Sequence, residues 1–165
     1  LEATVFRSDV KDLTRYDFAF QKNVNVGRAR MTGVEARLFM PLTRTAWARA
    51  AWTRLDTEDR DTGLPLLRRP RQRASLTVGE DLGRGASAEV TGLWVGERDD
   101  VDATTYLRVT SPAYFRLDGA LTLPPVAWGL SPFVRVTNLL GRDYAEVAGY
   151  PSPGRRFVAG LDVAL

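Results

Sequence analysis

Neither cysteine nor histidine occurs among the 165 residues. Disulfides, thiolate nucleophiles, imidazole acid–base chemistry and most transition-metal sites are therefore excluded. Lysine is scarce as well: of 23 basic residues only Lys11 and Lys22 are lysine, and the rest are arginine. No run approaches the ~18 apolar residues of a membrane helix. The longest apolar stretches, Gly63–Leu67 and Leu123–Leu130, are interrupted by proline and glycine. The net charge of +3 is small and its basic residues are interleaved with acids, so no nucleic-acid partner is expected. Catalytic constellations are missing too. Ser111–Asp118 carries a serine without the histidine of a triad. Gly83–Ser87 has neither the lysine nor the helix of a phosphate loop. Glu89 and Asp118 imply no cleft for a glycosidase pair and face abundant arginine. The chain reads as a non-enzyme with no cofactor and no resident metal.

What is present is period two. Val34, Ala36, Leu38 and Met40 share one parity, with Gly33, Glu35, Arg37 and Phe39 on the other. Arg71, Arg73, Ser75 and Thr77 oppose Gln72, Ala74, Leu76 and Val78. Tyr114, Arg116, Asp118, Ala120 and Thr122 oppose Phe115, Leu117, Gly119, Leu121 and Leu123. Similar stretches begin at Ala46, Ser87 and Val134, and the chain closes with Phe157, Ala159, Leu161, Val163 and Leu165 opposite Val158, Gly160, Asp162 and Ala164. With an opening strand near Glu2–Leu13 the alternation predicts about eight strands.

The connections alternate as well. Leu42–Thr45, Gly83–Gly85 and Pro124–Gly129 are short, whereas Thr57–Arg69, Asp99–Ala113 and Gly141–Pro153 are long. Strict succession of short and long predicts an antiparallel up-and-down sheet with the long loops at one end, the asymmetry of a transmembrane β-barrel wall. Glu35, Arg37, Arg71, Arg73, Glu89, Arg116, Asp118, Arg135 and Asp162 then face a wet interior. The other parity meets lipid, and Trp52, Trp94, Phe115, Phe133 and Phe157 supply interfacial aromatics. Two rival folds share the pattern: a soluble β binding module, and a complete small eight-stranded barrel with a structural or adhesive role. The sequence reads as starting within a strand and not with a signal sequence, so an open segment is expected over a complete small barrel.

Three charged stretches invite chemistry. Asp56–Gly63 is acidic enough to attract calcium, although its spacing is not that of an EF-hand and a solvated loop is the expectation. Arg98–Asp102 reads as a solvated or ligand-facing loop. Arg69, Arg71 and Arg73 share a parity and are expected to form an interior ladder.

The ending, Val136–Leu161, resembles the C-terminus of TonB-dependent outer-membrane receptors, the vitamin B12 and siderophore receptors among them. The matching positions are Asn138 and Leu139, Asp143 and Tyr144, Gly149, Tyr150 and Pro151, then Pro153, Gly154, Arg155, Phe157 and Gly160. Upstream, Met31–Leu38 with Gly33 and Glu35, Leu66–Leu76 and Val95–Asp100 follow in family order. The resemblance implies an all-β fold in which residues 1–165 are an open C-terminal segment of a barrel of about 22 strands. Plug domain and TonB-binding segment lie outside it. It further implies uptake of a corrinoid or an iron–siderophore at the outer membrane of a Gram-negative bacterium. The implied partners are membrane lipid and lipopolysaccharide, the plug and remaining barrel strands, and the TonB complex. No residue matches a ligand-binding motif. Gly154 is expected to turn the chain into the last strand, Pro151 and Pro153 to stiffen the loop before it, and Gly33 and Gly160 to allow close approach in a curved wall.

Overall fold

The computed structural model describes residues 1–17, 21–126 and 129–163. Among the described residues there are twelve strands: β1 (Glu2–Asp17), β2 (Lys22–Pro41), β3 (Ala46–Asp59), β4 (Gln72–Gly83), β5 (Ala86–Val95), β6 (Arg98–Val101), β7 (Arg108–Ser111), β8 (Tyr114–Thr122), β9 (Leu130–Thr137), β10 (Ala145–Val147), β11 (Tyr150–Pro151) and β12 (Arg156–Val163). Eight of them form one sheet in the order β1-β2-β3-β4-β5-β8-β9-β12, and every neighbouring pair is antiparallel. The expected eight-stranded meander is therefore the observed fold. β1 and β12 lie at opposite edges, and no backbone ladder joins them among the described residues. A closed eight-stranded barrel requires that ladder.

Register decides what each face carries, because paired residues point to the same side. One face stacks Trp52, Ala74, Trp94 and Phe115 in a row across β3, β4, β5 and β8. The next rows are Ala50, Leu76, Gly92 and Leu117, then Ala48, Val78, Val90 and Gly119. The opposite face stacks Thr53, Arg73, Val95 and Tyr114, then Ala51, Ser75, Leu93 and Arg116, then Arg49, Thr77, Thr91 and Asp118. On the apolar face Val5, Trp52, Leu76, Val78, Val90, Phe115, Val134 and Leu161 are exposed. A soluble monomer rarely presents so continuous an apolar surface. On β4 the band runs from Gln72 to Glu80, roughly 27 Å along the strand at ~3.4 Å per residue, which at the ~40° tilt of a barrel strand covers roughly 21 Å of the ~25 Å lipid-facing band. β1, β2 and β3 have 16, 20 and 14 residues, longer than the ~9–11 that cross a bilayer, so they project beyond it.

The last strand follows the expected parity. Phe157, Leu161 and Val163 share the apolar face with Val136, Pro132 and Leu130, and Asp162 lies on the other side with Ser131. Leu165 and Ala164 lie outside the described residues. Phe133 departs from expectation: it does not join the outer aromatics. Its register with Thr122 and Gly160 puts it on the polar face. Its ring covers Gly160, and the Arg135 guanidinium sits 4.6 Å from the ring centroid. Phe6 over Gly33 and Trp47 over Gly79 repeat the arrangement on the same face. An aromatic ring fills the gap left by a strand glycine and shields its backbone.

The tight turns explain the short connections. Arg84 (φ 56°) and Gly85 (φ 80°) both adopt left-handed φ, the requirement of a type I′ hairpin. Between β2 and β3, the Thr43 hydroxyl accepts from the amides of Thr45 and Ala46, and Leu42 and Thr43 donate to the Ala46 carbonyl. All three long connections emerge at the other end. Two of them contain hairpins of their own, β6–β7 and β10–β11, where the sequence suggested irregular loops.

Candidate functional site

The polar face and the long-loop end form one continuous region. On the wall, a cavity of ≈ 420 Å³ is lined by Glu35, Arg37, Thr53, Arg73, Arg116 and Asp118, among others. Arg116 pairs with Asp118 at 2.9 Å and Arg37 with Glu35 at 3.7 Å. Arg73 has no carboxylate partner among the described residues, and it also lines a second cavity of ≈ 340 Å³ closer to the loops. The expected arginine ladder is shorter than the parity suggested. β4 begins at Gln72, so only Arg73 belongs to the wall. Arg69 and Arg71 instead line a recess of ≈ 270 Å³ between two loops, together with Glu97, Arg98 and Asp99.

Arg98–Asp102 is not a solvated loop. Asp100 is wholly buried and Arg98 is 6% exposed. The Asp100 carboxylate accepts from Arg68 Nε at 2.8 Å, from the amide of Val101 at 2.8 Å and from the amide of Ala148 at 2.8 Å. These donors come from three different long connections. Burial alone would raise the Asp100 pKa; the Ala148 amide, the Arg68 guanidinium and the Val101 amide outweigh it and hold the carboxyl below its ordinary value. Arg98 donates to the carbonyls of Ala145, Glu146 and Pro112, and its guanidinium lies 5.6 Å from the centroid of the Tyr114 ring. The amide of Arg68 also donates to the Asp99 carbonyl at 2.7 Å. The three loops are therefore cross-linked by buried polar groups, which confirms that all three lie at one end of the sheet.

Asp102 works within its own turn. Its carboxylate accepts from the amides of Thr105 and Thr104 and from the Thr105 hydroxyl, and these bonds lower its pKa. The acidic stretch Asp56–Gly63 has a similar explanation. Asp59 is buried, and its carboxylate caps the turn by accepting from the amides of Asp61 and Thr62. Among the described residues no group of acids is arranged to hold a metal ion.

The ending motif has a definite geometry. Asn138 is fully buried at φ 56° just after β9. Its side chain donates to the Arg142 carbonyl and accepts from the Arg142 amide, and its own amide donates to Asp118. Leu139 donates its amide to the Leu117 carbonyl and stays exposed. Asp143 is exposed. Tyr144 stacks on Tyr114 with centroids 4.5 Å apart, and its hydroxyl accepts from Arg116. Gly149 (φ 80°) makes the turn between β10 and β11, next to the exposed Tyr150. Arg155 lies beside Gly141, whose φ is 63°. Pro153 and Gly154 are exposed. Gly154 is not at positive φ, and a Cβ there would meet nothing within 4 Å. The entry into β12 therefore needs no glycine, contrary to the reason expected from the sequence. At Gly33 and Gly160 the close approach is real.

An open meander with one lipid-compatible face, one charged face and a cross-linked cap of loops defines a segment of membrane β-barrel wall. The sequence model of the TonB dependent receptor-like β-barrel matches residues 1–139, and the chain belongs to that family. Among solved structures, it is similar to the ferric enterobactin receptor PfeA of Pseudomonas aeruginosa, with a TM-score of 0.76 and 20% identity over 96% of this chain and 28% of that one. The ferric yersiniabactin uptake receptor FyuA of Yersinia pestis gives a TM-score of 0.68 and 22% identity over 97% of this chain and 25% of that one. The ferripyoverdine receptor of the outer membrane of Pseudomonas aeruginosa gives 0.69 and 16%, over 94% and 23%. At these identities the likeness establishes the fold. The chain spans about a quarter of each of those receptors.

Proposed function

We propose that residues 1–165 are the C-terminal part of the barrel wall of a TonB-dependent receptor that takes up a ferric siderophore across the outer membrane of a Gram-negative bacterium. The observation that carries this reading is the open eight-stranded sheet whose apolar face is exposed, whose other face is charged and whose long loops gather at one end. The wall supplies a hydrogen-bonded cylinder in which the backbone polar groups are paired. Its outer face contacts lipid and, towards the long loops, lipopolysaccharide. Its charged face packs against a plug domain elsewhere in the parent protein, and the loops capture the ligand. The work done is binding and gated passage driven through TonB, with no bond made or broken. That the similar solved structures are ferric-siderophore receptors supports iron over a corrinoid.

The test is deletion of the parent gene, followed by uptake assays with radiolabelled ferric siderophores of several chemical classes and with labelled cobalamin. Loss of iron uptake with one siderophore class, restored by complementation, is expected. Loss of cobalamin uptake alone would replace the ligand with a corrinoid, and unaltered uptake of every compound would reject the transport reading.

A further inference from the structure

The β10–β11 hairpin does not extend away from the sheet. It folds back over the charged face, where Tyr144 stacks on Tyr114 and takes a hydrogen bond from Arg116. Both wall residues lie on the charged face, in register with Val95 and Leu93. Beneath the hairpin is the ≈ 340 Å³ cavity bordered by Arg73, Arg116 and Glu146. The hairpin has only 3- and 2-residue strands and an irregular register, too little to hold itself in place. What holds it comes from the neighbouring connection. Arg98 grips the Ala145 and Glu146 carbonyls, and Asp100 holds the Ala148 amide while also binding Arg68 of a third connection.

We propose that the β10–β11 hairpin is a strap across the mouth of the lumen, latched inward by Arg98 and Asp100, so that the three long loops release together and admit solutes to the cavity beneath. A buried carboxylate that accepts from three segments couples them physically. Losing any one donor leaves the charge under-solvated and weakens its hold on the others. The gating half rests on reading the charged face as a lumen, whereas the coupling half stands on the loop contacts alone.

Two measurements on the intact receptor in detergent or vesicles separate these halves. In the first, amide hydrogen exchange is followed in Asp100→Asn, a near-isosteric change, and in Asp102→Asn as the control. Asp100→Asn is expected to raise exchange at least tenfold in all three connections, near residues 66–69, 98–111 and 144–151, with β4 and β5 unchanged. Asp102→Asn is expected to affect only residues 102–107. Confinement of the Asp100→Asn effect to its own loop would overturn the coupling, as would loosening of β4 and β5 along with it. In the second, Ser75→Cys places a thiol on the wall beyond the strap in a segment that has no cysteine of its own. Its modification by a charged, membrane-impermeant thiol reagent added outside should be at least tenfold faster when combined with Asp100→Asn. An unchanged rate would overturn the gate and leave the coupling to the exchange data. An unreactive thiol in both backgrounds, with β4 and β5 still protected, would show that Ser75 does not face an accessible lumen and would reject the barrel reading itself.

Discussion

At Gly33 a Cβ would sit 2.7 Å from the Arg54 carbonyl and 2.6 Å from the Phe6 ring. The ring can shift, but the carbonyl belongs to the neighbouring strand and cannot. Gly33→Ala is therefore expected to destabilise the receptor by about 1–3 kcal/mol, while Gly154→Ala is expected to be neutral because nothing stands within 4 Å. Parallel urea titrations of receptor folded into vesicles would compare them, and equal effects would contradict the packing argument. Asp100 yields a second expectation. Its folded-state pKa lies below the ordinary 3.8, so its stabilising contribution is present above that value and is lost as pH falls through the lower folded-state value. Loop exchange, corrected for intrinsic rates, should thus be flat from pH 7 to about 5 and rise below about 4. Asp100→Asn should flatten the profile. An acid response that persists in the variant would assign it to another group. The family resemblance singled out Gly33, but neither it nor parity gave warning of Asp100. A carboxylate in a charged connection reads as solvated unless the fold of that connection, and the two others packed against it, is known.

Among the elements, β4 offers the sharpest contrast between faces. Leu76 is exposed on the apolar face and Ser75 lines the cavity opposite. Leu76→Arg is expected to cost about 2–4 kcal/mol near the middle of the bilayer, and Ser75→Arg much less because its side chain meets water. Folding titrations into lipid vesicles would measure both, and similar penalties would mean that neither face contacts lipid. Strand alternation was legible where one face is oily, and there it located β3, β4, β5, β8 and β12 closely. It failed at the start of β2. Residues 22–32 belong to the strand, yet the alternation read there runs only from Gly33 to Met40. Above the bilayer both faces of a strand are wet, so selection for an apolar parity disappears and Arg28 and Arg30 follow no pattern. The same reasoning accounts for Phe133. An aromatic was assigned to the lipid belt by type, whereas its register with Gly160 gives it a different task on the charged face.

For the whole molecule the decisive fact is that β1 and β12 occupy opposite edges. Each edge is long, carries an apolar face and presents unpaired backbone groups, which makes it a template for further strands. Produced alone, residues 1–165 should self-associate in detergent as concentration rises. Light scattering that reports a monomer throughout the micromolar range would argue that the edges meet after all. Strand number, strand order and loop asymmetry were all readable from alternating parity and alternating connection lengths. The two accessory hairpins and the polar cross-links among the loops were not, because they arise from three connections far apart in sequence that meet only once the meander is built.

Trp52 and Trp94 share one hydrogen-bonded row, two strands apart, on the outer surface. Strands of a closed barrel tilt by ~40° and lie ~4.8 Å apart, so a row perpendicular to them climbs roughly 3 Å per strand. The two indoles then sit about 6 Å apart in membrane depth. Quenching of each indole's fluorescence by lipids brominated at graded positions along the acyl chain, in receptors where it is the single tryptophan left after Trp47, Trp128 and all others are replaced, would read that offset. The pair is in effect a built-in inclinometer: an offset near 6 Å reports the slant of the assembled wall, and equal depths would report strands standing upright.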